Sequence, residues 1–387
     1  MSKYDVIVVG CGYAGAVSAE RFASIGKSVL VIDKRKEIAG NMFDYKDENG
    51  VNVHKYGPHI FHTNRLEVVE YLSKFTEWYP YEHRVLGYVD GQFVPVPFNL
   101  KSIEMCFDET TANEMKKVLI ETYGMEKKVT ILELKKHENE VLKKLADFVY
   151  DKVFKDYTMK QWGLTVDELD PMVTNRVPVH VSYDDRYFQD KYQQMPKEGY
   201  TKIFEKMLNH PNIEVRLNTE ASSLLKIDVD SKTIHFNGEP FTGKLIYTGA
   251  IDELLDYRFG ALPYRSLDFD LQSHKGTYQA VGTVNYPTPK EQHGFTRITE
   301  YKHMMEKLPE NTSIAVEYSL PYDRSAEKGN IPYYPIFTED NQKQYQLYVK
   351  ACEGLPNFYL LGRLAEYQYY NMDAIVYRSL QLFDKIK

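Results

Sequence analysis

A glycine-rich turn near the N-terminus constrains the fold of this chain more than any other feature. The turn, Gly-Cys-Gly-Tyr-Ala-Gly at residues 10–15, lies between a predicted buried strand at residues 5–9 and a predicted helix at residues 14–25. A second buried strand is predicted at residues 28–32 and completes a βαβ unit. In such a unit the glycines let the backbone approach a pyrophosphate at the helix N-terminus. The sequence therefore predicts a parallel sheet that binds a dinucleotide.

The residues after the second strand favour FAD over NAD as that dinucleotide. Asp33 ends the strand and is expected to accept hydrogen bonds from ribose hydroxyls. Lys34 and Arg35 follow, and then Gly40 and Asn41, a basic-then-small order more typical of FAD-binding proteins than of NAD dehydrogenases. The glycine turn alone does not choose between the two cofactors.

The composition excludes several classes of protein. A net charge of -7 and a pI of 5.9 give no overall attraction to nucleic acid or to an anionic membrane. Cys11, Cys106 and Cys352 are far apart, so we expect neither a disulfide framework nor a zinc site. The apolar run at residues 6–9 is too short for a secretion signal or a membrane span. We therefore expect a cytoplasmic protein without a metal, a nucleic-acid partner or membrane insertion.

The spacing of apolar and charged residues changes along the rest of the chain. Residues 100–153 carry apolar residues three and four apart among many charges, which predicts a helical insertion. Two β-rich runs, at residues 85–89 and 92–96, flank Asp90-Gly91, the two-residue signal of a hairpin. Further strands are predicted in one antiparallel sheet, and a last strand and helix return the chain to the dinucleotide-binding sheet. These segments are residues 179–183, 277–285 and 313–318, then 358–361 and the helix from Met372.

An octapeptide at residues 56–63, Tyr-Gly-Pro-His-Ile-Phe-His-Thr, identifies a family. Its two histidines lack further metal ligands nearby in the sequence. After the N-terminal motif, the octapeptide resembles the characteristic segment of bacterial UDP-galactopyranose mutases. Further segments resemble that family in the right order, so the resemblance covers essentially the whole chain. They are residues 157–163, 176–179, 183–188, 296–300, 332–335, 362–364 and 369–373.

The resemblance implies an α/β fold in three parts. A Rossmann-like FAD-binding domain is expected at residues 1–82, 197–258 and 335–387. An inserted helical domain with a mobile substrate loop is expected at residues 100–178. An antiparallel β-sheet substrate domain is expected at residues 83–99, 179–196 and 259–334. The polar segment at residues 156–169 is expected to close over bound nucleotide and to place Trp162 against it.

The resemblance also implies a reaction. Members of the family are isomerases (EC 5.4.99.9) that interconvert UDP-galactopyranose and UDP-galactofuranose for cell-surface glycan biosynthesis. The implied mechanism requires reduced FAD, whose N5 nitrogen forms a covalent adduct with the sugar while UDP leaves and returns. The motifs contain no Ser-His-Asp set, so the protein is expected to supply placement and electrostatics rather than a nucleophile.

Two arginines are expected to hold the substrate diphosphate, because a planar guanidinium makes paired, charge-assisted hydrogen bonds to phosphate oxygens. By the resemblance they are Arg176 and Arg297. Aromatic side chains offer flat faces to uracil and sugar, and many of the 32 tyrosines fall within the matching segments. The other residues expected around the substrate are Phe154, Tyr157, Trp162, Tyr187, Phe188, Tyr334 and Tyr369.

His59 and His62 complete the expected catalytic set, near the flavin and the sugar, where they tune protonation or orient hydroxyls. Asn371 stands where several family members carry Asp, so we expect only a binding role or a role in the flavin environment for it. Arg363 is expected to contact the flavin. The residues expected to bind FAD are Gly10, Gly12, Tyr13, Ala14, Gly15, Asp33, Lys34, Gly40, Asn41, His59, Ile60, Arg363, Tyr369, Asn371, Met372 and Asp373.

Other functions stay open at this point. The same chemistry on UDP-N-acetylgalactopyranose or dTDP-fucopyranose would differ only by a few pocket residues near the sugar. A flavin amine oxidase shares the N-terminal motif but needs an apolar amine pocket, which the paired arginines disfavour. A non-catalytic nucleotide-binding protein would need an idle flavin site, and the motifs are intact. We also expect the substrate to be a UDP-sugar and the protein to form a homodimer.

Overall fold

The computed structural model of the chain describes residues 3–165 and 178–387. Its strands are β1 (Val6–Val9), β2 (Val29–Ile32), β3 (Asp44–Lys46), β4 (Asn52–His54), β5 (Phe61–Thr63), β6 (Trp78–Pro80), β7 (Val85–Val89), β8 (Gln92–Val96), β9 (Lys128–Thr130), β10 (Pro178–His180), β11 (Tyr192–Pro196), β12 (Ile213–Arg216), β13 (Leu225–Asp228), β14 (Thr233–Phe236), β15 (Glu239–Pro240), β16 (Lys244–Tyr247), β17 (Tyr264–His274), β18 (Thr283–Asn285), β19 (Arg297–Glu300), β20 (Thr312–Pro321), β21 (Tyr334–Pro335) and β22 (Phe358–Leu360).

The helices of the described residues are α1 (Tyr13–Ser24), α2 (Leu66–Leu72), α3 (Leu100–Cys106), α4 (Glu109–Tyr123), α5 (Ile131–Lys136), α6 (Glu140–Val149), α7 (Lys155–Trp162), α8 (Tyr200–Leu208), α9 (Ile251–Leu254), α10 (Glu339–Cys352) and α11 (Met372–Ile386). A π-helical turn, Tyr150–Phe154, joins α6 to α7. Within residues 3–165 and 178–387, every helix is too short or too polar to cross a lipid bilayer.

Five strands form the parallel sheet that the glycine-rich turn predicts. Their order is β12, β2, β1, β16 and β22, and each neighbouring pair runs parallel. β1 and β2 consist of valine, leucine and isoleucine, and nearly all of these side chains are buried, as expected in a parallel sheet covered on both faces. The predictions of β1, α1, β2, β22 and α11 are confirmed to within about one residue. The predicted α/β class is confirmed with them.

Seven strands form the second large sheet, in the order β21, β17, β20, β19, β18, β7 and β8. The predicted hairpin of β7 and β8 is confirmed. Asp90 and Gly91 have φ angles of 48° and 87°, the left-handed values that a two-residue hairpin turn requires at both positions. The strand predicted at residues 313–318 is confirmed within β20, whereas only the last 3 residues of the strand predicted at residues 277–285 form a strand, β18. The sheet is mixed rather than antiparallel, because β18 pairs with β7 in parallel.

The strand predicted at residues 179–183 does not join this sheet, so that part of the prediction is wrong. β10 pairs with β9 in a separate antiparallel ribbon. Val179 and Val129 are buried there in one hydrophobic core with Leu142 and Leu145 of α6. The alternating pattern identifies a strand, but its apolar face packs against the helices rather than against the large sheet.

Helices α3 to α7 confirm the predicted helical insertion, although the short strand β9 interrupts it. α3 begins at a capping box, in which the Asn99 side chain accepts from the Ser102 amide at 3.0 Å and Ser102 Oγ accepts from the Asn99 amide at 3.2 Å. The division of the whole chain into three domains at the predicted boundaries stays a prediction.

Cross-strand pairing places four side chains in one row on the seven-stranded sheet. Asn285 pairs with Arg297, Arg297 with Glu317, and Glu317 with Phe269, so all four lie on the same face. The octapeptide meets this row at Gly57, where an added Cβ would lie 3.1 Å from the Phe269 ring and 3.9 Å from Glu317 Oε2. The row therefore lies where the large sheet meets the octapeptide.

The close packing of α1 on β1 depends on Gly15 and gives a first prediction. An alanine Cβ at this position would lie 1.9 Å from the Gly10 carbonyl oxygen and 3.1 Å from Val8 Cγ1. We expect Gly15→Ala to lower the free energy of unfolding by about 1–3 kcal/mol, because the helix must move off the strand. The measurement is urea unfolding followed by circular dichroism.

Gly294→Ala is the matched control, because its nearest heavy atoms would lie 4.0 Å from the added Cβ. We expect it to change the free energy of unfolding by less than about 0.5 kcal/mol. Equal unfolding midpoints for the two variants would contradict the packing argument.

Candidate active site

A cleft opens at the carboxyl ends of the parallel strands β1, β2 and β16, lined in part by Val9, Ile32 and Tyr247. Ligands of open parallel sheets bind at this edge. Gly12 is the N-cap of α1, so the helix begins inside the cleft and offers its amide groups to an anion. The predicted FAD-binding residues that line the cleft are Gly10, Gly12, Tyr13, Ala14, Asp33, Lys34, Gly40, Asn41, His59, Arg363 and Met372.

The glycines of the cleft hold three backbone segments together. Gly10 has a φ of 103°, and a Cβ there would lie 2.0 Å from Thr248 Oγ1. Gly40 has a φ of 56°, and its Cβ would lie 3.0 Å from the Gly12 Cα. A side chain at either position would thus be strained and would fill the space that a pyrophosphate needs.

Asp33 fixes the glycine-rich turn as well as lining the cleft. Its carboxylate accepts a hydrogen bond from the Cys11 amide and another from the Arg35 amide, each at 2.8 Å. A carboxylate has about four acceptor positions, so these two bonds leave capacity for ribose hydroxyls. The ribose contact of Asp33 stays a prediction.

Five residues expected at the cofactor do not line the cleft. Gly15 packs beneath the turn against Gly10, and Ile60 packs on the hydrophobic core. Asn371 is the N-cap of α11, and Tyr369 stacks on Tyr334. Asp373 accepts from Thr63 Oγ1 at 2.8 Å and Arg65 Nη1 at 2.9 Å, which ties α11 to the end of the octapeptide.

The cleft fits FAD in its chemistry. The glycine turn and the N-terminus of α1 suit the pyrophosphate, and Asp33 and Lys34 lie beyond them at the end of β2. His59 also lines the cleft, and its Nδ1 is buried without a hydrogen-bond partner among the described residues. Such an orphaned polar atom is the kind of group that a bound cofactor satisfies.

His59 is uncharged at neutral pH. Burial lowers its pKa to about 3, and the neighbouring His54 ring and the Arg363 guanidinium act in the same direction. His59 receives its position from the backbone, because its amide donates to His54 Nδ1 at 3.0 Å. It can therefore orient polar groups beside the cleft but does not act as a cation.

His62 lies in a different environment from His59. Its Nδ1 is 2.9 Å from Asp190 Oδ2, and its ring stacks on Phe188 with centroids 3.6 Å apart. The hydrogen bond from His62 holds the pKa of Asp190 below its ordinary value. His62 does not line the cleft, and its catalytic role stays a prediction.

Arg297 forms a buried ion pair with Glu317. Arg297 Nε and Nη2 lie 2.8 and 2.7 Å from Glu317 Oε2, and only 4% of the Glu317 side chain is exposed. Burial opposes the charge on Arg297, but Glu317, followed by Tyr157 and Tyr334, raises its pKa above the ordinary arginine value. The guanidinium, with 22% of its side chain exposed beside a buried carboxylate, is thus charged and fixed in direction.

Several predicted substrate residues surround this ion pair. Burial raises the pKa of Tyr157, and Arg297, Glu317, Tyr187 and Tyr334 are the charged or titratable groups that act on it. These five side chains therefore share one environment, although they come from distant parts of the sequence.

An aromatic stack joins the ion pair to the cofactor cleft. Tyr334 and Tyr369 stack with centroids 5.8 Å apart. The Arg363 guanidinium lies 5.1 Å from the Tyr334 centroid and 4.9 Å from that of Tyr369, within the range of a cation–π contact. Because Arg363 also lines the cleft, the predicted substrate residues adjoin the predicted cofactor residues.

The remaining predicted substrate residues lie at different depths. Phe154 is buried in the helical core beside Tyr150. Tyr187 and Phe188 meet edge to face at 4.9 Å, and Tyr187 is exposed. Arg176 lies outside the described residues.

Trp162 is part of a helix rather than the polar loop that the sequence predicts. α7 continues to Trp162 and ends at Gly163, whose φ of 68° is the left-handed value typical of a helix C-terminus. Trp162 is buried against Tyr334 and Phe337. Residues 166–169 of the predicted closing segment lie outside the described residues.

Sequence reasoning missed Glu317 and His83. Glu317 could have been found, because a carboxylate on the inward face of a half-buried strand needs a partner. Burial, then Arg297 and His62, lowers the pKa of His83 to about 3, and its ring centroid lies 6.0 Å from that of Tyr187 and 6.3 Å from that of Phe188. Nothing in the local sequence indicates that position. Within residues 3–165 and 178–387 no cluster of three potential metal ligands occurs.

Comparison with known proteins agrees with this arrangement. The UDP-galactopyranose mutase family model matches residues 152–369, and an NAD(P)-binding Rossmann-like domain model matches residues 8–75. The UDP-galactopyranose mutase of Mycoplasma pneumoniae is 35% identical over 98% of this chain and 95% of that protein. The dTDP-fucopyranose mutase of Escherichia coli is 33% identical over 97% of this chain and 96% of that protein.

Among solved structures, a reduced UDP-galactopyranose mutase has the same fold, with a TM-score of 0.70 at 18% identity, covering 100% of this chain and 94% of that one. The family model spans more than half of the chain, and relatives above 30% identity span nearly all of it. The chain therefore belongs to the UDP-galactopyranose mutase family, whose members are isomerases that use FAD.

Proposed function

We propose that this protein interconverts UDP-galactopyranose and UDP-galactofuranose. The observation that carries the proposal is the buried ion pair of Arg297 and Glu317, which lies among aromatic side chains and beside the cofactor cleft. An arginine fixed by a buried carboxylate suits a phosphate ligand, because its direction is set before the ligand arrives.

The charges at the site indicate that a second cationic side chain binds the substrate diphosphate. The Arg297–Glu317 pair carries no net charge, whereas the diphosphate of a sugar nucleotide carries two negative charges. Arg297 Nη1 makes no hydrogen bond with any described residue, so it can donate to one phosphate oxygen. Arg176 is the predicted second partner.

The chain's own residues then bind and orient the substrate. Tyr157 and Tyr334 offer ring faces and hydroxyls beside Arg297, and neutral His59 orients polar groups at the cleft. When reduced, FAD supplies a nucleophilic nitrogen, N5, for the anomeric carbon of the sugar. The buried carboxylate of Glu317 fixes the direction of the Arg297 guanidinium, which favours its contacts to the diphosphate.

A second substrate is supported by one comparison. Because the Escherichia coli relative that is 33% identical is a dTDP-fucopyranose mutase, dTDP-fucopyranose is the alternative sugar nucleotide. UDP-N-acetylgalactopyranose is a further alternative from the sequence. A flavin amine oxidase is disfavoured, because a buried Arg297 is unsuited to a cationic amine.

The proposed product, UDP-galactofuranose, would supply galactofuranose for cell-surface glycans. This role, a homodimer and a cytoplasmic location are parts of the proposal that come from the resemblance. Light scattering of the purified protein tests the dimer.

The first prediction of the proposal is direct turnover. Purified protein that has been reduced with dithionite should convert UDP-galactofuranose into UDP-galactopyranose, because the pyranose is the more stable ring. Chromatography of the nucleotide sugars measures both forms, and dTDP-fucopyranose is assayed in parallel. If only dTDP-fucopyranose is converted, it is the substrate instead of the UDP-sugar. If neither sugar nucleotide is converted, the proposal is contradicted.

The covalent route gives a second prediction. Rigorously oxidised protein should be inactive, because the oxidised flavin lacks the nucleophilic lone pair at N5. Cyanoborohydride added during turnover should yield a flavin that carries the mass of the hexose. Full turnover by oxidised protein, or a flavin of unchanged mass after trapping, would refute this route.

The ion pair gives a third prediction. Arg297→Ala should reduce kcat/KM by about 100-fold or more and leave FAD bound, because the substrate charge loses its partner in a desolvated site. Arg297→Lys keeps the charge but loses the planar fork, so intermediate activity is expected. Glu317→Gln should weaken activity less than Arg297→Ala, because the amide still accepts from Arg297.

Lys328→Ala is the control, because Lys328 pairs with Asp268 on the exposed surface. It should leave kcat/KM unchanged. Near-normal kcat/KM in Arg297→Ala would remove this arginine from the substrate site, and loss of FAD would show that it is a cofactor contact instead.

A further inference from the structure

The C-terminal end of α7 contacts a buried arginine of the large sheet. Arg265 Nε donates to the Gln161 carbonyl at 3.0 Å, and its Nη2 donates to Ser319 Oγ at 3.0 Å. Ser319 Oγ donates to the same Gln161 carbonyl at 2.5 Å. The guanidinium also lies against Gly163, where an added Cβ would be 2.6 Å from Nη1. Helix carbonyl groups at a C-terminus carry partial negative charge, so they attract this cation.

Arg265 has no carboxylate partner within 4 Å among the described residues. Only 6% of the residue is exposed, and burial lowers the pKa of its guanidinium to about 10. A buried cation without an ion-pair partner is costly, and an apolar side chain at the same place would often be neutral or stabilising. Within the described residues, Arg265 instead binds carbonyl and hydroxyl oxygens at the end of α7 and on β20.

A second cation, Lys160 of α7 itself, binds the same helix to a different part of the large sheet. Lys160 Nζ donates to the backbone carbonyls of Tyr286, His293 and Phe295 at 2.7, 3.0 and 2.9 Å. Three acceptors satisfy all three donors of an ammonium group. Lys160 is thus fixed in direction as well as position.

The loop that Lys160 binds leads directly to Arg297. The Tyr286 amide donates to the Thr296 carbonyl at 2.9 Å, and Asn285 pairs with Arg297 across β18 and β19. Lys160 therefore connects α7, which carries Tyr157 and Trp162, to the strand pair that carries Arg297. Arg265 and Ser319 connect the same helix to β17 and β20, the strand of Glu317.

We propose that Lys160 and Arg265 are positioning residues that hold α7 so that Tyr157 stands beside the Arg297–Glu317 pair and Trp162 packs against Tyr334. They act through the helix and do not touch the substrate. The effect on turnover rests on the proposed function, whereas the effect on the position of α7 does not.

Trp162 reports the position of α7 without substrate. The chain has two tryptophans, Trp78 and Trp162, so a Trp78→Phe background leaves Trp162 as the single emitter. In that background, with FAD bound, Lys160→Met and Arg265→Met should make Trp162 emission redder and more accessible to acrylamide. The physical reason is that Trp162 is buried only while α7 stays docked.

Kinetics provide the second readout. We expect each variant to raise KM for UDP-galactopyranose by about tenfold or more and to change kcat less than about threefold, because docking of α7 contributes to substrate binding. Lys160→Arg should restore KM in part, since it keeps a cation with several donors. Lys155→Met is the matched control, because Lys155 is exposed on the same helix, and it should change neither readout.

If Arg265→Met does not fold, the milder single variant Ser319→Ala replaces it, and the test compares Ser319→Ala and Lys160→Met. Emission and acrylamide quenching equal to those of Lys155→Met in both variants would overturn the proposal. A parallel fall in melting temperature, FAD content and kcat with KM unchanged would also overturn it, since that result assigns a purely structural role. If wild-type protein lacks mutase activity, the fluorescence comparison still decides whether α7 is anchored.

Discussion

The buried ion pair between Arg297 and Glu317 connects the parts of this structure. Glu317 lies on β20 and fixes the guanidinium of Arg297 on the neighbouring strand β19. The same carboxylate oxygen lies close to Gly57 of the octapeptide, which leads to His59 at the cofactor cleft. The pair tolerates little displacement, because the buried carboxylate would be left without its partner. The large sheet and the cofactor cleft are therefore held in one arrangement.

This arrangement answers an electrostatic difficulty of the chain. A protein with a net charge of -7 repels an anionic substrate at long range, so binding depends on local cations. Arg297, Arg363, Lys160 and Arg265 all lie at or near the site, and the last two bind backbone carbonyls rather than carboxylates. Among residues 3–165 and 178–387, neither Lys160 nor Arg265 has a carboxylate within 4 Å, so each adds positive charge near the site.

The sequence predicts best what local chemistry decides. The glycine turn and the Asp90-Gly91 hairpin follow from backbone conformations that few other residues adopt, and both are confirmed. The predicted placement of β10 in the large sheet is wrong, because period-two alternation identifies a strand but not the strand that pairs with it. The sequence predicts Trp162 in a polar, mobile segment, yet α7 continues through Trp162 and ends at Gly163.

The partners of charged side chains were harder to predict. Glu317 meets Arg297 and Arg265 meets Gln161 only because of the register between distant strands and the packing of α7 on the sheet. Family resemblance identified Arg297 but not the carboxylate that aims it. Residues within the family motifs thus leave a local signal, whereas the residues that pair with them depend on the assembled fold.

A crystal structure of the reduced protein with UDP-galactopyranose tests the central claim most directly. The account predicts a diphosphate oxygen within about 2.7–3.2 Å of an Arg297 guanidinium nitrogen, with Glu317 still bonded to the same guanidinium and the sugar beside the FAD cleft. A diphosphate bound elsewhere, with Arg297 contacting Glu317 alone, would contradict it.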